Sequence, residues 1–232
     1  MRTSWNKGLT KDNNVSVKKI SETMKDKKLD NFSKWRQLRR DQGSIKSSYP
    51  AFKKDGDLAE LMGVILGDGH IEKFPRTERL LIFSNAKNKG FVDRYSALVE
   101  KIFNKKPYVY LLATSNCIRV SLYEKNISKR LGIKTGSRKN MSVVVPKWIL
   151  SNEVYLTRYL RGLYEAEGSE SHHEPTCTHK LSFANLNQSL LKNVYKLMSR
   201  LGFHPSLGKD RVQISRRAEV IKAVKLLRFR QY

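Results

Sequence analysis

Read by the spacing of its apolar positions, the chain changes character near residue 57. Before it, apolar residues are sparse and recur at helical intervals. Val17, Ile20 and Met24 share one face and Phe32, Trp35 and Leu38 another, so two short helices are predicted, each too small to fold alone. After it, Asp57 is expected to cap a helix through Leu58-Ala59-Glu60-Leu61-Met62-Gly63-Val64-Ile65-Leu66-Gly67-Asp68-Gly69, with Gly69 as its stop. Runs at His70–Phe74 and Arg79–Asn85, split by Pro75-Arg76-Thr77, predict two strands. A helix is expected over Lys89–Phe103, strands over Tyr108–Ala113 and Cys117–Leu122, and a helix over Glu124–Leu131.

The same order then recurs. Leu160-Arg161-Gly162-Leu163-Tyr164-Glu165-Ala166-Glu167-Gly168 stands 99 positions after Leu61-Met62-Gly63-Val64-Ile65-Leu66-Gly67-Asp68-Gly69. Strands are expected around Ser171 and over Leu181–Asn185, a helix over Ser189–Leu201, strands near Ser206 and over Arg211–Ser215, and a helix from Ala218. Phe83-Ser84-Asn85 is echoed by Phe183-Ala184-Asn185, and Arg119-Val120-Ser121 by Gln213-Ile214-Ser215. The chain is therefore a tandem duplication. The predicted fold is α+β, two αββαββα repeats with antiparallel saddles, divided into an extension over 1–57, a first repeat over 58–150 and a second over 151–232.

Charge changes the picture. Lys and Arg number 46 against 21 Asp and Glu, a formal net charge of +25, and an excess spread along the whole chain calls for a polyanionic partner. No long apolar run or basic membrane-lying helix is evident, and the polar N-terminus lacks the apolar segment of a signal peptide, so the expected location is intracellular, with no membrane partner. Cys117 and Cys177 lack the spacing of a metal pair and read as reduced thiols. The first 57 residues carry 15 basic and 7 acidic side chains, which suits a solvated tail and an arm that orders on nucleic acid equally well.

Gly63 and Gly67 lie four apart on one helical face, as do Gly162 and Ala166. Glycine within a helix costs up to ~1 kcal/mol against alanine, so its use in both copies calls for a close backbone approach, and each helix is the natural partner of the other. Packed together, they bring Asp68 beside Glu167. Carboxylates at helix C-termini are disfavoured by the macrodipole and by each other, and a divalent cation removes both penalties. Oxygen-only ligands suit Mg²⁺, with Mn²⁺ as a substitute.

Leu61–Gly69 and Leu160–Gly168 resemble the two motifs of a single-chain LAGLIDADG homing endonuclease, and with the repeat the resemblance covers about three quarters of the chain. It implies that Asp68 and Glu167 are the metal-binding acids and that the carbonyls of Gly67 and Ala166 help hold the metal. Leu66 stands where the family usually has another acid, and Glu167 replaces aspartate. The implied activity is Mg²⁺-dependent hydrolysis of both strands of double-stranded DNA across the minor groove, leaving short 3′ overhangs, by an intron-encoded monomer. Asn85 and Asn185 are candidates to order the attacking water and Lys139 to serve as a basic helper; turn capping and phosphate contact are the competing readings. The opening Trp5-Asn6-Lys7-Gly8-Leu9 resembles the DNA-binding modules appended to intron-encoded nucleases.

Specificity is expected from polar sheet faces in the major groove. Arg119, Ser121, Lys180, Ser182, Arg211 and Gln213, with Lys73 and Arg76, are the candidate DNA contacts, over a site of about two helical turns. His172, His173, Cys177 and His179 are zinc-type ligands but fall at an expected hairpin tip without paired spacing, so DNA contact or a plain turn is the expectation. The principal rival function is a maturase of the same fold that binds intron RNA. A non-catalytic DNA-binding regulator suits the charge but leaves the paired acids unexplained.

Overall fold

A computed structural model describes residues 4–30, 32–43, 46, 48–113 and 115–232. The chain divides into two compact units, Met1–Tyr49 and Pro50–Tyr232. The first holds α1 (Val15–Asp26) and α2 (Ser33–Asp41), with no buried residue in either. Asn14 caps α1 by accepting from the Val17 amide at 3.1 Å. Val17, Ile20 and Met24 line an open hollow with Leu29.

The second unit contains the duplication. Its first copy runs α3 (Gly56–Leu66), β1 (Gly69–Lys73), β2 (Glu78–Asn85), α4 (Lys89–Phe103), β3 (Tyr108–Leu111), β4 (Cys117–Glu124) and α5 (Ile127–Leu131). A connecting segment with α6 (Lys147–Leu150) leads to α7 (Glu153–Glu167), β5 (Gly168–His173), β6 (Thr178–Ala184), α8 (Gln188–Arg200), β7 (Ser206–Leu207), β8 (Arg211–Ile214) and α9 (Arg217–Leu227). The sheets are antiparallel, ordered β1-β2-β4-β3 and β5-β6-β8-β7. Alternation along the strands buries one face of each. Leu80, Ile82, Val120 and Leu122 pack with Phe91, Tyr95 and Val99 of α4, while Leu181, Phe183, Val212 and Ile214 pack with Leu190, Val194, Val220 and Ala223 of α8 and α9. Among the described residues of this unit, these helices cover one face of each sheet.

Several element bounds differ from expectation for local reasons. Asp55 rather than Asp57 caps α3, accepting from the Leu58 amide at 3.0 Å, which frees Asp57 to pair with Arg158 and with Lys101 Nζ at 2.6 Å. Leu66 ends α3 before the expected Gly69, because Gly67 leaves helical geometry at φ −82°, ψ −93°. β4 continues through Glu124, where a helix was expected, because Glu124 pairs with Glu78 in the sheet and its carboxylate is buried against Arg130. In the second copy α7 starts well before the motif, capped by Asn152, whose side chain accepts from the Tyr155 amide at 3.2 Å.

Candidate active site

The small-residue faces meet as backbone on backbone. A methyl group on Gly162 would overlap the Glu60 carbonyl oxygen and stand 2.8 Å from the Val64 nitrogen; one on Gly63 would overlap the Tyr159 oxygen and stand 2.9 Å from the Leu163 nitrogen. At the C-terminal end, a methyl on Gly67 would overlap the Ala166 side chain and lie 3.2 Å from Glu167 Cγ. Gly69 and Gly168 open the next strand hard against their own helix, at Ile65 and Tyr164, which are also 99 residues apart. Each fold copy thus turns sharply after its acid and sends its first strand away from the shared interface.

This crossing brings Asp68 and Glu167 together. Their local settings differ, since Glu167 is the last residue of α7 whereas Asp68 lies beyond the end of α3. Burial, reinforced by the charge of Glu167, pushes the Asp68 carboxyl up to about 7. Burial also raises Glu167, opposed by a hydrogen bond from Asn185 and by the charge of Arg138. Among the described residues no group of three or more His, Cys, Asp or Glu is placed to hold a metal. A cation between the two acids would therefore draw its remaining ligands from main-chain, water or substrate oxygens, a set that suits Mg²⁺.

The paired asparagines both cap a turn, Asn185 Oδ1 accepting from the Asn187 amide at 2.8 Å, but only Asn185 also reaches an acid. Asn185 Nδ2 donates to Glu167 Oε1 at 3.2 Å, while Asn85 is exposed and its Oδ1 accepts from the Lys87 amide at 3.0 Å, capping a turn. Lys139 is exposed at the rim of a cavity of about 170 Å³ lined by Gly67, His70, Arg138 and Asn185. Its neighbour Arg138 is the half-buried cation, donating to the Gly69 carbonyl beside Glu167. Buried Asn187 holds Arg138 there, with Nδ2 donating to the carbonyls of Arg138 at 2.5 Å and Met141 at 2.8 Å. Nothing periodic marks Arg138 in the sequence; adjacency to Lys139 was the available signal.

Residues 155–232 match the family model of the LAGLIDADG-like domain. This stretch is a LAGLIDADG-like domain. Solved structures of similar backbone include mesophilic variants of the homing endonuclease I-DmoI, at 18% identity over 74% of this chain and 94% of that one, with a TM-score of 0.50. I-DmoI in complex with DNA and Mn matches at 17% identity over 74% and 96%, with a TM-score of 0.51. Full-length DUF199/WhiA from Thermatoga maritima matches at 14% over 78% and 57%, with a TM-score of 0.53. No curated protein matches the chain by sequence. The backbone has the LAGLIDADG fold in both copies.

The LAGLIDADG-like domain presents a polar open face. Ser169, Ser171, Lys180, Ser182, Arg211 and Gln213 share its strand parity, opposite Leu181 and Val212. Ser182 Oγ lies 3.4 Å from Gln213 Oε1, and Arg211 pairs with Asp210 at 3.0 Å. In the first copy the expected contacts are less available. Ser121 is only 5% exposed, covered by its neighbours, and so is corrected from a base contact to a buried residue. Lys73 shares the parity of core residue Ile71 and leaves the sheet at the strand end, while Arg76 is exposed in the β1–β2 turn. His172 and His179 face each other across the β5–β6 hairpin at 5.4 Å between rings. No described helix is long and apolar enough to cross a membrane.

At the other end of α3, sequence reading missed a buried ionic network. Glu60 is fully buried and bound by Arg94 at 2.7 and 3.0 Å, Arg158 at 2.5 Å and Tyr95 at 3.2 Å, with Arg161 at 3.6 Å. It ties the first copy to α7 of the second. Glu165 extends it to the C-terminal segment, accepting from the Arg230 amide at 2.7 Å and from the Tyr232 hydroxyl.

Proposed function

We propose that the chain is an intron-encoded, site-specific endonuclease that acts as a monomer on double-stranded DNA, with Mg²⁺ as its ion and Mn²⁺ as a substitute. The reading is carried by two desolvated carboxyls, Asp68 and Glu167, that meet where two glycine-packed helices end, with an antiparallel sheet in each copy. A charge of +25 supports the polyanionic substrate. The DNA-bound state of I-DmoI, which shares the fold, suits it too.

Asp68 and Glu167, with the carbonyls of Gly67 and Ala166, would hold the metal. A divalent ion held there would supply charge to neutralise phosphate oxygens and would lower the pKa of water. Asn185 fixes the rotamer of Glu167 and offers an amide to the attacking water. Arg138, a fixed cation beside the motif end, stabilises the charge that builds on the pentacovalent phosphorus. Lys139 at the rim binds a flanking phosphate.

The test incubates the protein and its Asp68→Asn variant with Mg²⁺ and DNA spanning the gene's insertion junction without the insert. Cleavage by the parent and none by the variant is expected. Binding without cleavage by the parent, joined to promotion of intron splicing, would establish the maturase instead.

A further inference from the structure

The two open sheet faces differ in chemistry. At matched parity the LAGLIDADG-like domain offers hydroxyl, amine and amide groups, whereas the first copy offers rings. Tyr108 is 70% exposed and Tyr123 45%, and Tyr110 and Phe83 lie in the same cross-strand row as Arg119. Its two arginines lie against rings. The Arg119 guanidinium sits 5.3 Å from the Phe83 ring centre and 6.0 Å from that of Tyr110. Arg79 is paired with Glu72, donates to the Tyr123 hydroxyl at 3.0 Å, and lies 5.5 Å from the Tyr123 ring. With Ser121 buried, the tyrosine rings make up much of what this face shows to a groove.

Resting on the duplex-DNA reading, we infer that the first sheet recognises its half-site through the 5-methyl groups of thymine, while the second reads its half by hydrogen bonds. Thymine methyl is the one apolar feature a standard base pair presents in the major groove. Tyr108 and Tyr123 supply the exposed contact surface, while Arg119 lies against the Phe83 and Tyr110 rings. A continuous duplex is favoured over unpaired bases stacking on the rings. Tyr108 and Tyr110 already pack on each other at 5.3 Å and 30°, and a sheet of the opposite character in the second copy calls for one ligand long enough to meet both.

The experiment selects duplex sites from a random-sequence DNA library with the full chain, then replaces thymine by deoxyuridine in one half-site at a time. Expected is a thymine-rich half in which each lost methyl weakens binding about four-fold, equivalent to ~0.8 kcal/mol of buried carbon, and another half indifferent to the change. Tyr108→Ala should abolish the deoxyuridine penalty, whereas Gln213→Ala should weaken binding and leave the penalty intact. A selected site without a deoxyuridine penalty in either half, or a penalty that survives Tyr108→Ala and Tyr123→Ala, overturns the inference while leaving the nuclease reading standing. Selection of no duplex sequence overturns both, and displacement of the selected duplex by equimolar single-stranded RNA overturns the choice of ligand.

Discussion

Gly162→Ala isolates the helix contact on which the site depends. In a solvent-exposed helix this change gains up to ~1 kcal/mol from propensity. Here the new methyl meets three backbone atoms: it overlaps the Glu60 carbonyl oxygen and lies 2.8 Å from the Val64 nitrogen and 3.0 Å from the Glu60 carbonyl carbon. None of these atoms can rotate away, so α3 and α7 must separate. Overpacking costs typically ~1–3 kcal/mol where side chains can adjust, and a rigid backbone contact belongs at the upper end, giving a net loss of about 2 kcal/mol after the propensity gain. Gly56→Ala is the control, because its methyl would meet only side chains, Arg158 at 3.3 Å and the Tyr155 ring at 3.8 Å. Urea unfolding should show the loss for Gly162→Ala and a change near zero for Gly56→Ala. Calorimetric Mg²⁺ titration should show weakened binding in the first variant as the acids move apart. Equal stability and equal metal affinity in both variants would refute the close helix packing and the shared site.

Metal-free Asp68→Asn should be more stable than the parent at pH 8, by an amount that shrinks toward pH 4. The folded Asp68 carboxyl is pushed up to about 7, above its ordinary value, so its contribution to stability is full at low pH and is lost as pH rises through 7; after screening the effect is on the order of 2–4 kcal/mol. Urea midpoints in EDTA at both pH values check this, and a pH-independent difference would count against the burial of Asp68. Glu60→Ala strands three arginines and should cost about 3 kcal/mol in the same unfolding assay; a loss under about 1 kcal/mol would mean that the network is solvated rather than buried. Asn185→Ala should slow cleavage about 10- to 100-fold with DNA affinity unchanged, while Asn85→Ala should leave the rate within about two-fold, in single-turnover assays. Affinity for DNA should fall linearly on a log–log plot against salt, with a slope of several units; a flat plot would remove the polyanion argument.

What the sequence determined by itself was everything carried by short-range periodicity and by its repetition. Alternation in Arg79–Asn85 and Leu181–Asn185 marks strands because a sheet has one buried face, and Gly63, Gly67 and Gly162 mark a close helix contact because only glycine gives up its side chain there. The 99-residue offset then makes Asp68 and Glu167 partners before any coordinate is known. Tertiary structure alone decided which candidates reach the site. Asn85 and Asn185 occupy matched strand ends and cap matched turns, yet only Asn185 touches an acid; Glu167 is the last residue of its helix, whereas Asp68 lies beyond the end of α3. Arg138 takes the place expected of Lys139 because Asn187, 49 residues away, grips the connecting segment, a pairing that no local pattern encodes. Ser121 follows the outward parity and is nevertheless buried, between Leu81 and Tyr108 of the flanking strands. Glu60 carries no signal in the sequence and is the buried anchor of the two copies, because the arginines that neutralise it arrive from α4 and α7. Parity and period fix which side of an element is turned inward; the neighbour that waits there depends on the path of the whole chain.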